Sequence, residues 1–391
     1  MPNRTMNALK PAYACRTRFG KSLTRLCLCS AALLLASLAR MEAAPADEVH
    51  LFRSLQADRN RVYEGAPGSG GGHPLVCQLG NGEVLAVFQA WNADSDWRIL
   101  SSRSGDEGLH WSEPRVLVDG PDSEGNLALG VLRDGTVLLG YETFQILRGK
   151  DGPPARYLAY QVMRSTDHGR SWSAPVKIPH DPDSLALASY SSILQLPDGT
   201  VLMPLYAYVE GEEGETGQQP SPRHFSYVYR SRDGGRSWGD RSLVAAGFNE
   251  TNLVRLKSGK LLAAMREEQK PPGRSALAES TDGGRQWSRP RYVTGASQHP
   301  ASLLQTPDGT VVLSHGVRHP PYGAQALLSQ DDGHTWDRTR KIMLGYHSWG
   351  GGGYPCTIRL DSGHLLTLYY GNSRQGGQSF PFVEAVRWNL P

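Results

Sequence analysis

The chain has 391 residues, with 41 Lys and Arg against 38 Asp and Glu. Residues 1–46 hold seven of those basic residues and one of the acids, so residues 47–391 carry 34 basic and 37 acidic residues, a net charge of −3. A nearly neutral body gives no electrostatic reason to expect nucleic acid as a partner, and no apolar stretch beyond residue 46 is long enough to cross a membrane.

The first predicted element is a leader. Arg16, Arg18, Lys21 and Arg25 precede an apolar run from Leu26 to about Leu38, and small residues come after it at Ala43, Ala44 and Ala46. A basic flank, a short apolar core and a small-residue exit describe a secretory signal peptide, expected over 1–46 with cleavage after Ala44 or Ala46. Residues 47–391 are then one exported domain, secreted or periplasmic. Of five cysteines, Cys15, Cys27 and Cys29 leave with the leader. Cys77 and Cys356 remain; export leaves a bridge chemically open, but buried free thiols are the expectation.

From residue 73 onward one unit recurs: an apolar strand, a tight Gly turn, and a second strand rich in Leu and Val. The copies begin HPLVCQLGNGEVLAVF at His73, NLALGVLRDGTVLLGY at Asn126, YSSILQLPDGTVLMPLY at Tyr190, ETNLVRLKSGKLLAAM at Glu250, HPASLLQTPDGTVVLSHG at His299 and YPCTIRLDSGHLLTLYY at Tyr354. Their turn glycines are Gly82, Gly135, Gly199, Gly259, Gly309 and Gly363, and Asn-Gly, Asp-Gly or Ser-Gly between β-rich runs marks a hairpin. Between hairpins lies a second element, S-x-D-x-G-x-x-W, at Ser104–Trp111, Ser165–Trp172, Ser231–Trp238, Ser280–Trp287 and Ser329–Trp336. Hairpin and turn in alternation predict an all-β fold, a six-bladed β-propeller of four-stranded blades. The last copy has few residues after it, so a strand from the N-terminal segment, Val49 to Leu55, is expected to complete its blade and cover an open edge. The polar stretch from Glu210 to Arg223 reads as a mobile loop.

Strand direction sorts the residues by end. Positions nine before and seven after each turn glycine share one end of the propeller, and the S-x-D-x-G-x-x-W turns lie at the other. Asp106, Asp167, Asp233, Asp282 and Asp331 are therefore read as turn-forming residues and not as catalytic acids. The axis-facing positions nine before the glycine are His73, Asn126, Tyr190, Glu250 and Tyr354, with His299 added if its strand carries an extra residue. Those seven after it are Gln89, Glu142, Tyr206, Arg266, Gly316 and Tyr370. The loops after strand two bring Asp94, Asp96 and Arg318 to the same end.

The S-x-D-x-G-x-x-W repeats are similar to the Asp boxes of the sialidase superfamily, and the resemblance runs from about residue 70 to 371. It implies that Tyr354, in Gly353-Tyr354-Pro355, and Glu250, in NETNLV from Asn249, are nucleophile and base. An anomeric carbon bearing a carboxylate repels an anionic nucleophile; a neutral phenol is not repelled but needs a carboxylate to take its proton. The resemblance further implies that Asp94 or Asp96 is the acid/base, with Asp94 slightly favoured, and that Arg266 and Arg318 hold the substrate carboxylate through guanidinium forks. One departure stands out: where sialidases begin blade one with an Arg-Ile-Pro motif, this chain has Gly72-His73-Pro74. Arg59 or Arg61 is the basic alternative from the N-terminal segment. His299, Tyr190 and Asn126 join His73 as expected substrate contacts.

The function these features predict is an exo-acting retaining glycosidase for sialic acid or a related keto or uronic acid, working as a monomer on a glycan or glycoconjugate. Two other readings stay open: a lyase or hydrolase of uronic-acid polymers using His73 or His299 with a Tyr, and a sugar-binding propeller without catalysis. No cofactor is expected, because the chain has no His-x-x-x-His or paired-Cys zinc motif, no phosphate-binding Gly loop and no G-x-S-x-G turn. The Gly runs at 70–72 and 350–353 are expected to let backbone approach the axis.

Overall fold

A strand that reverses within a few residues needs a positive φ at its tip, which glycine reaches without steric cost. In the computed structural model all six turn glycines adopt it, from +84° at Gly135 to +99° at Gly309. The structure describes residues 55–92, 97–146, 155–180, 184–209, 223–268, 272–348 and 351–391. The expected leader and most of the 210–223 loop lie outside these residues.

Each hairpin carries two further strands, and the result is six antiparallel blades forming a propeller. Blade 1 runs Gly70–Gln78, Val84–Trp91, Trp97–Ser104 and Arg115–Val118 from the axis outward. Blades 2, 4 and 5 repeat that plan, with innermost strands Ser123–Val131, Phe248–Arg255 and Ala301–Gln305. Blade 3 departs from it. Its inner strand is broken into Ser184–Ala188 and Leu194–Gln195, both paired with Val201–Val209, and Ser191–Ser192 between them pairs in parallel with blade 2.

Blade 6 contains Gly353–Arg359, Leu365–Gln375 and Gln378–Trp388, and its outermost strand comes from the N-terminal side of the chain. That strand is Ala57–Glu64, with Ala57 opposite Trp388 and Glu64 opposite Phe382. The expected segment was Val49–Leu55, so the closing strand lies further along the sequence. An outermost strand needs little apolar content, and ADRNRVYE buries only Val62 fully. The more apolar VHLFRSL was the wrong signal for such a position.

The Asp boxes join strands three and four, as the strand directions require. Ser231 Oγ donates to Asp233 Oδ1 at 2.7 Å and accepts from Gly235 N at 2.8 Å, while Asp233 accepts from Ser237 N at 2.9 Å. The indole of Trp238 closes the turn on the Gly235 carbonyl at 3.2 Å. Cys77 and Cys356 are buried free thiols on neighbouring inner strands. Burial raises the first to about 12, with Cys356 beside it adding to the effect, and raises the second to about 11.

Candidate active site

The inner strands of four blades slip register at the same repeat position. The slips fall between Gly72 and Leu75, Gly125 and Ala128, Phe248 and Thr251, and Gly353 and Cys356. Each bulge frees from the ladder a residue read from the sequence as axis-facing: His73, Asn126, Glu250 and Tyr354. Three of these hold left-handed backbone, with φ of +50° at His73, +51° at Asn126 and +50° at Tyr354. Such a conformation costs a non-glycine residue about 1–3 kcal/mol and persists only where the surroundings enforce it. Room for it comes partly from glycine. Gly353 has φ +105°, and a Cβ there would sit 2.7 Å from Gly316 Cα of blade 5. The 70–72 run works differently from the expectation, because it clears space for side chains and not backbone: a Cβ on Gly70 would overlap the Trp91 indole.

Tyr354 Oη donates to Glu250 Oε1 at 2.5 Å, joining blades 6 and 4. Arg266 Nη1 donates to Glu250 Oε2 and to Tyr354 Oη, each at 3.0 Å. Its Nη2 pairs with Glu268 at 2.8 Å. Arg318 places its guanidinium carbon 5.2 Å from the Tyr354 ring centroid. Both Arg266 and Arg318 keep a buried Nε with no hydrogen-bond partner. Burial alone would raise the Glu250 carboxyl, but Arg266 first, then His73, the Tyr354 hydroxyl and Arg318, bring it down to about 2. Burial and the Glu250 charge push the Tyr354 phenol well above its ordinary value. The resting pair is thus a neutral phenol donating to a carboxylate.

His73 stacks on Tyr354, with ring centroids 4.0 Å apart and planes 26° from parallel. Its Nδ1 lies 2.7 Å from Gln89 Nε2. Asn126 donates through Nδ2 to Glu142 Oε2. Desolvation raises that carboxyl to about 7 against the pull of Asn126. His299 is buried just before its strand, its Nδ1 without a partner, and burial lowers its pKa to about 3, with Arg266 and Arg318 adding to the fall.

Tyr190, expected as a substrate contact, directs its hydroxyl at the backbone carbonyls of Tyr354 (2.5 Å) and Pro74 (3.1 Å). A hydroxyl has one proton, and here it braces the bulge carrying Tyr354. Arg59 and Arg61 do not replace the absent arginine. Both sit on the outermost strand of blade 6, paired with Glu384, and Arg61 covers the Phe382 ring. Asp94 and Asp96 lie outside the described residues. The strand ends beside them are defined by Trp91 and Trp97, stacked at 4.5 Å. Glu268 was missed; its signal was two-residue spacing from Arg266, which puts both on one face of the chain leaving strand two.

Among known proteins, the family model for a BNR repeat-like domain matches residues 144–367. The chain is similar to a sialidase of Bacteroides fragilis, 24% identical over 227 residues that cover 53% of this chain and 38% of that protein. It is also similar to sialidase-2 of mouse, 25% identical over 192 residues, 47% of this chain and 48% of that protein. The matches thus span less than half the length of either curated relative. Among solved structures, a Dyadobacter fermentans protein of unknown function superposes with a TM-score of 0.70 at 23% identity, covering 85% of this chain and all of that one. A Hadza microbial sialidase gives 0.64 at 20%, covering 82% and 66%. Trypanosoma rangeli sialidase in complex with sialic acid gives 0.60 at 14%, covering 86% and 59%. At these identities the structural likeness establishes the fold.

Proposed function

We propose, on the premise that this chain belongs to the BNR-repeat family of sialidase-type propellers, that it is an exo-acting retaining glycoside hydrolase releasing a terminal acidic sugar from a glycan. The observation that carries this reading is the 2.5 Å hydrogen bond from the Tyr354 phenol to Glu250, with Arg266 on both. In the first step Tyr354 Oη bonds to the anomeric carbon as the glycosidic bond breaks. Glu250 takes the phenol proton, and Asp94 or Asp96 gives a proton to the departing oxygen. In the second, the same Asp removes a proton from water, whose oxygen attacks the anomeric carbon. The tyrosine–sugar bond then breaks and Glu250 returns the proton to the phenolate.

The charges favour this order of events. With Arg266 against it, Glu250 is a poor base for so weakly acidic a phenol. An arriving carboxylate competes for the same guanidinium, loosens its hold on Glu250, and restores basicity when substrate is present. Sialic, keto-deoxynonulosonic and uronic acids all offer the required carboxylate. The leader read at 1–46 places the mature enzyme outside the cytoplasm; amino-terminal sequencing of exported protein should find cleavage after Ala44 or Ala46.

The test is a screen of fluorogenic α-glycosides of these three acids, with Tyr354→Phe and Glu250→Gln as controls. Glu250→Gln should lower kcat about 10²–10⁴-fold, the usual worth of a positioned base, and Tyr354→Phe at least as much. Mass spectrometry of the enzyme treated with 2,3-difluorosialic acid should find one sugar on the peptide containing Tyr354. If both variants turn over every glycan as the parent does, the pair is not the catalyst. An unsaturated, ultraviolet-absorbing product would mean a lyase instead.

A further inference from the structure

Behind the catalytic pair, blades 1 and 2 are joined by hydrogen bonds whose directions can be assigned. The backbone N–H of Asn126 donates to Gln89 Oε1 at 2.9 Å. A backbone nitrogen can only donate, so this contact fixes which end of the Gln89 amide is oxygen. The other end, Nε2, lies 2.7 Å from His73 Nδ1. An amide nitrogen donates as well, so Nδ1 is the acceptor and carries no proton. The single proton of the imidazole therefore sits on Nε2, to which none of the described residues hydrogen-bonds. An imidazolium would set Nδ1–H against the amide N–H, donor against donor. Gln89 is fully buried, which leaves its amide no water to turn toward.

The surroundings agree with a neutral ring. His73 is stacked on Tyr354 and lies within 5.4 Å of the Tyr370 ring and 5.9 Å of the Tyr190 ring, centroid to centroid. The charged groups facing it are Glu250, Arg318 and Arg266. Burial lowers its pKa to about 4; Glu250 opposes this, while the two guanidiniums add to it.

We propose that Gln89 locks His73 as an uncharged imidazole with its N–H on Nε2, and that this N–H is a specificity-determining donor to the bound sugar acid. The proposal rests on reading the site as an acidic-sugar pocket. It means that, among the described residues, Arg266 and Arg318 are left to neutralise the substrate carboxylate, and Arg266 is already shared between Glu250 and Glu268. A neutral donor distinguishes a carboxylate from its uncharged ester less sharply than a guanidinium does, since hydrogen bonds between charged partners are roughly twice as strong. The pocket is thus tuned to sugar acids but relaxed toward their esters and amides.

Two measurements test this on the full-length mature protein. Nitrogen-15 NMR of the histidines should show His73 with an unprotonated Nδ1 and a protonated Nε2 from pH 5 to 8. Gln89→Glu keeps the shape but offers only acceptors, so it should move the proton onto Nδ1. An imidazolium in the parent, or an Nδ1 unchanged by Gln89→Glu, would overturn the lock. Calorimetric titration with sialic acid and with its methyl ester then tests the donor. His73→Arg should widen the acid-over-ester preference about tenfold, the equivalent of ~1.4 kcal/mol. An unchanged preference would overturn the role in specificity. Should the spectra and the titrations come out as expected while no glycoside is hydrolysed, this inference stands and the hydrolase reading falls.

Discussion

At the residue scale, two buried carboxyls on the same end of the propeller have opposite environments. Glu250 is held at about 2 because Arg266, His73, the Tyr354 hydroxyl and Arg318 together outweigh burial. Its folded value lies below the unfolded one, so it contributes stability above about pH 4.5 that is lost as pH falls toward 2. Glu142 meets desolvation with only Asn126 to offset it and rises to about 7. Its ionisation therefore works against the fold, and stability should decline as pH climbs from about 4.5 to 7. Glu142→Gln should flatten that decline, read as a melting temperature that falls less between pH 5 and 8 than in the parent; an unaltered profile would mean the carboxyl is not desolvated as described. Both residues occupy repeat positions that the sequence already marked as sharing one end. Which of them would be charged was not legible, because charge depends on whether a guanidinium from the neighbouring strand lies within reach.

At the scale of elements, the repeat separates architecture from chemistry. The Asp boxes identify the fold, yet their carboxylates are spent on their own turns, as Asp233 is on Ser231 and Ser237. Asp233→Ala should cost about 1.5–3 kcal/mol of stability, the usual worth of hydrogen bonding to a charged group, and leave kcat on any substrate unchanged; a loss of turnover without a loss of stability would refute the structural role. The bulges do the reverse. They spend backbone strain to aim side chains inward, and at Gly353 a Cβ would meet Gly316 of blade 5 at 2.7 Å. Gly353→Ala should lower stability by about 1–3 kcal/mol from its positive φ alone, and misplace the phenol so that kcat falls with it. Turn and strand signals were visible from the sequence, since they are local. The bulges were not, because nothing in Gly72-His73-Pro74 or Gly353-Tyr354-Pro355 states the register of the strand opposite.

At the scale of the molecule, closure depends on Ala57–Glu64 covering the edge of Gln378–Trp388 in blade 6. A chain beginning at residue 55 should unfold in one cooperative transition, whereas one beginning at residue 65 should aggregate or lose cooperativity, because it exposes an unpaired strand edge. Equal melting of the two would show the strand to be dispensable. The order of repeats, the number of blades and the end that carries the polar ring, Glu250 and Tyr354 within it, derive from the amino-acid sequence alone, because hairpin turns, strand alternation and repeat phase are properties of neighbouring residues; the pairing of those two came from the resemblance to sialidases. The tertiary structure decided which strand closes the ring, that Tyr190 braces the bulge carrying Tyr354, and that Gln89 dictates the proton on His73. Those outcomes depend on contacts between residues far apart in the chain, and a contact of that kind exists only once the blades have been brought around a common axis.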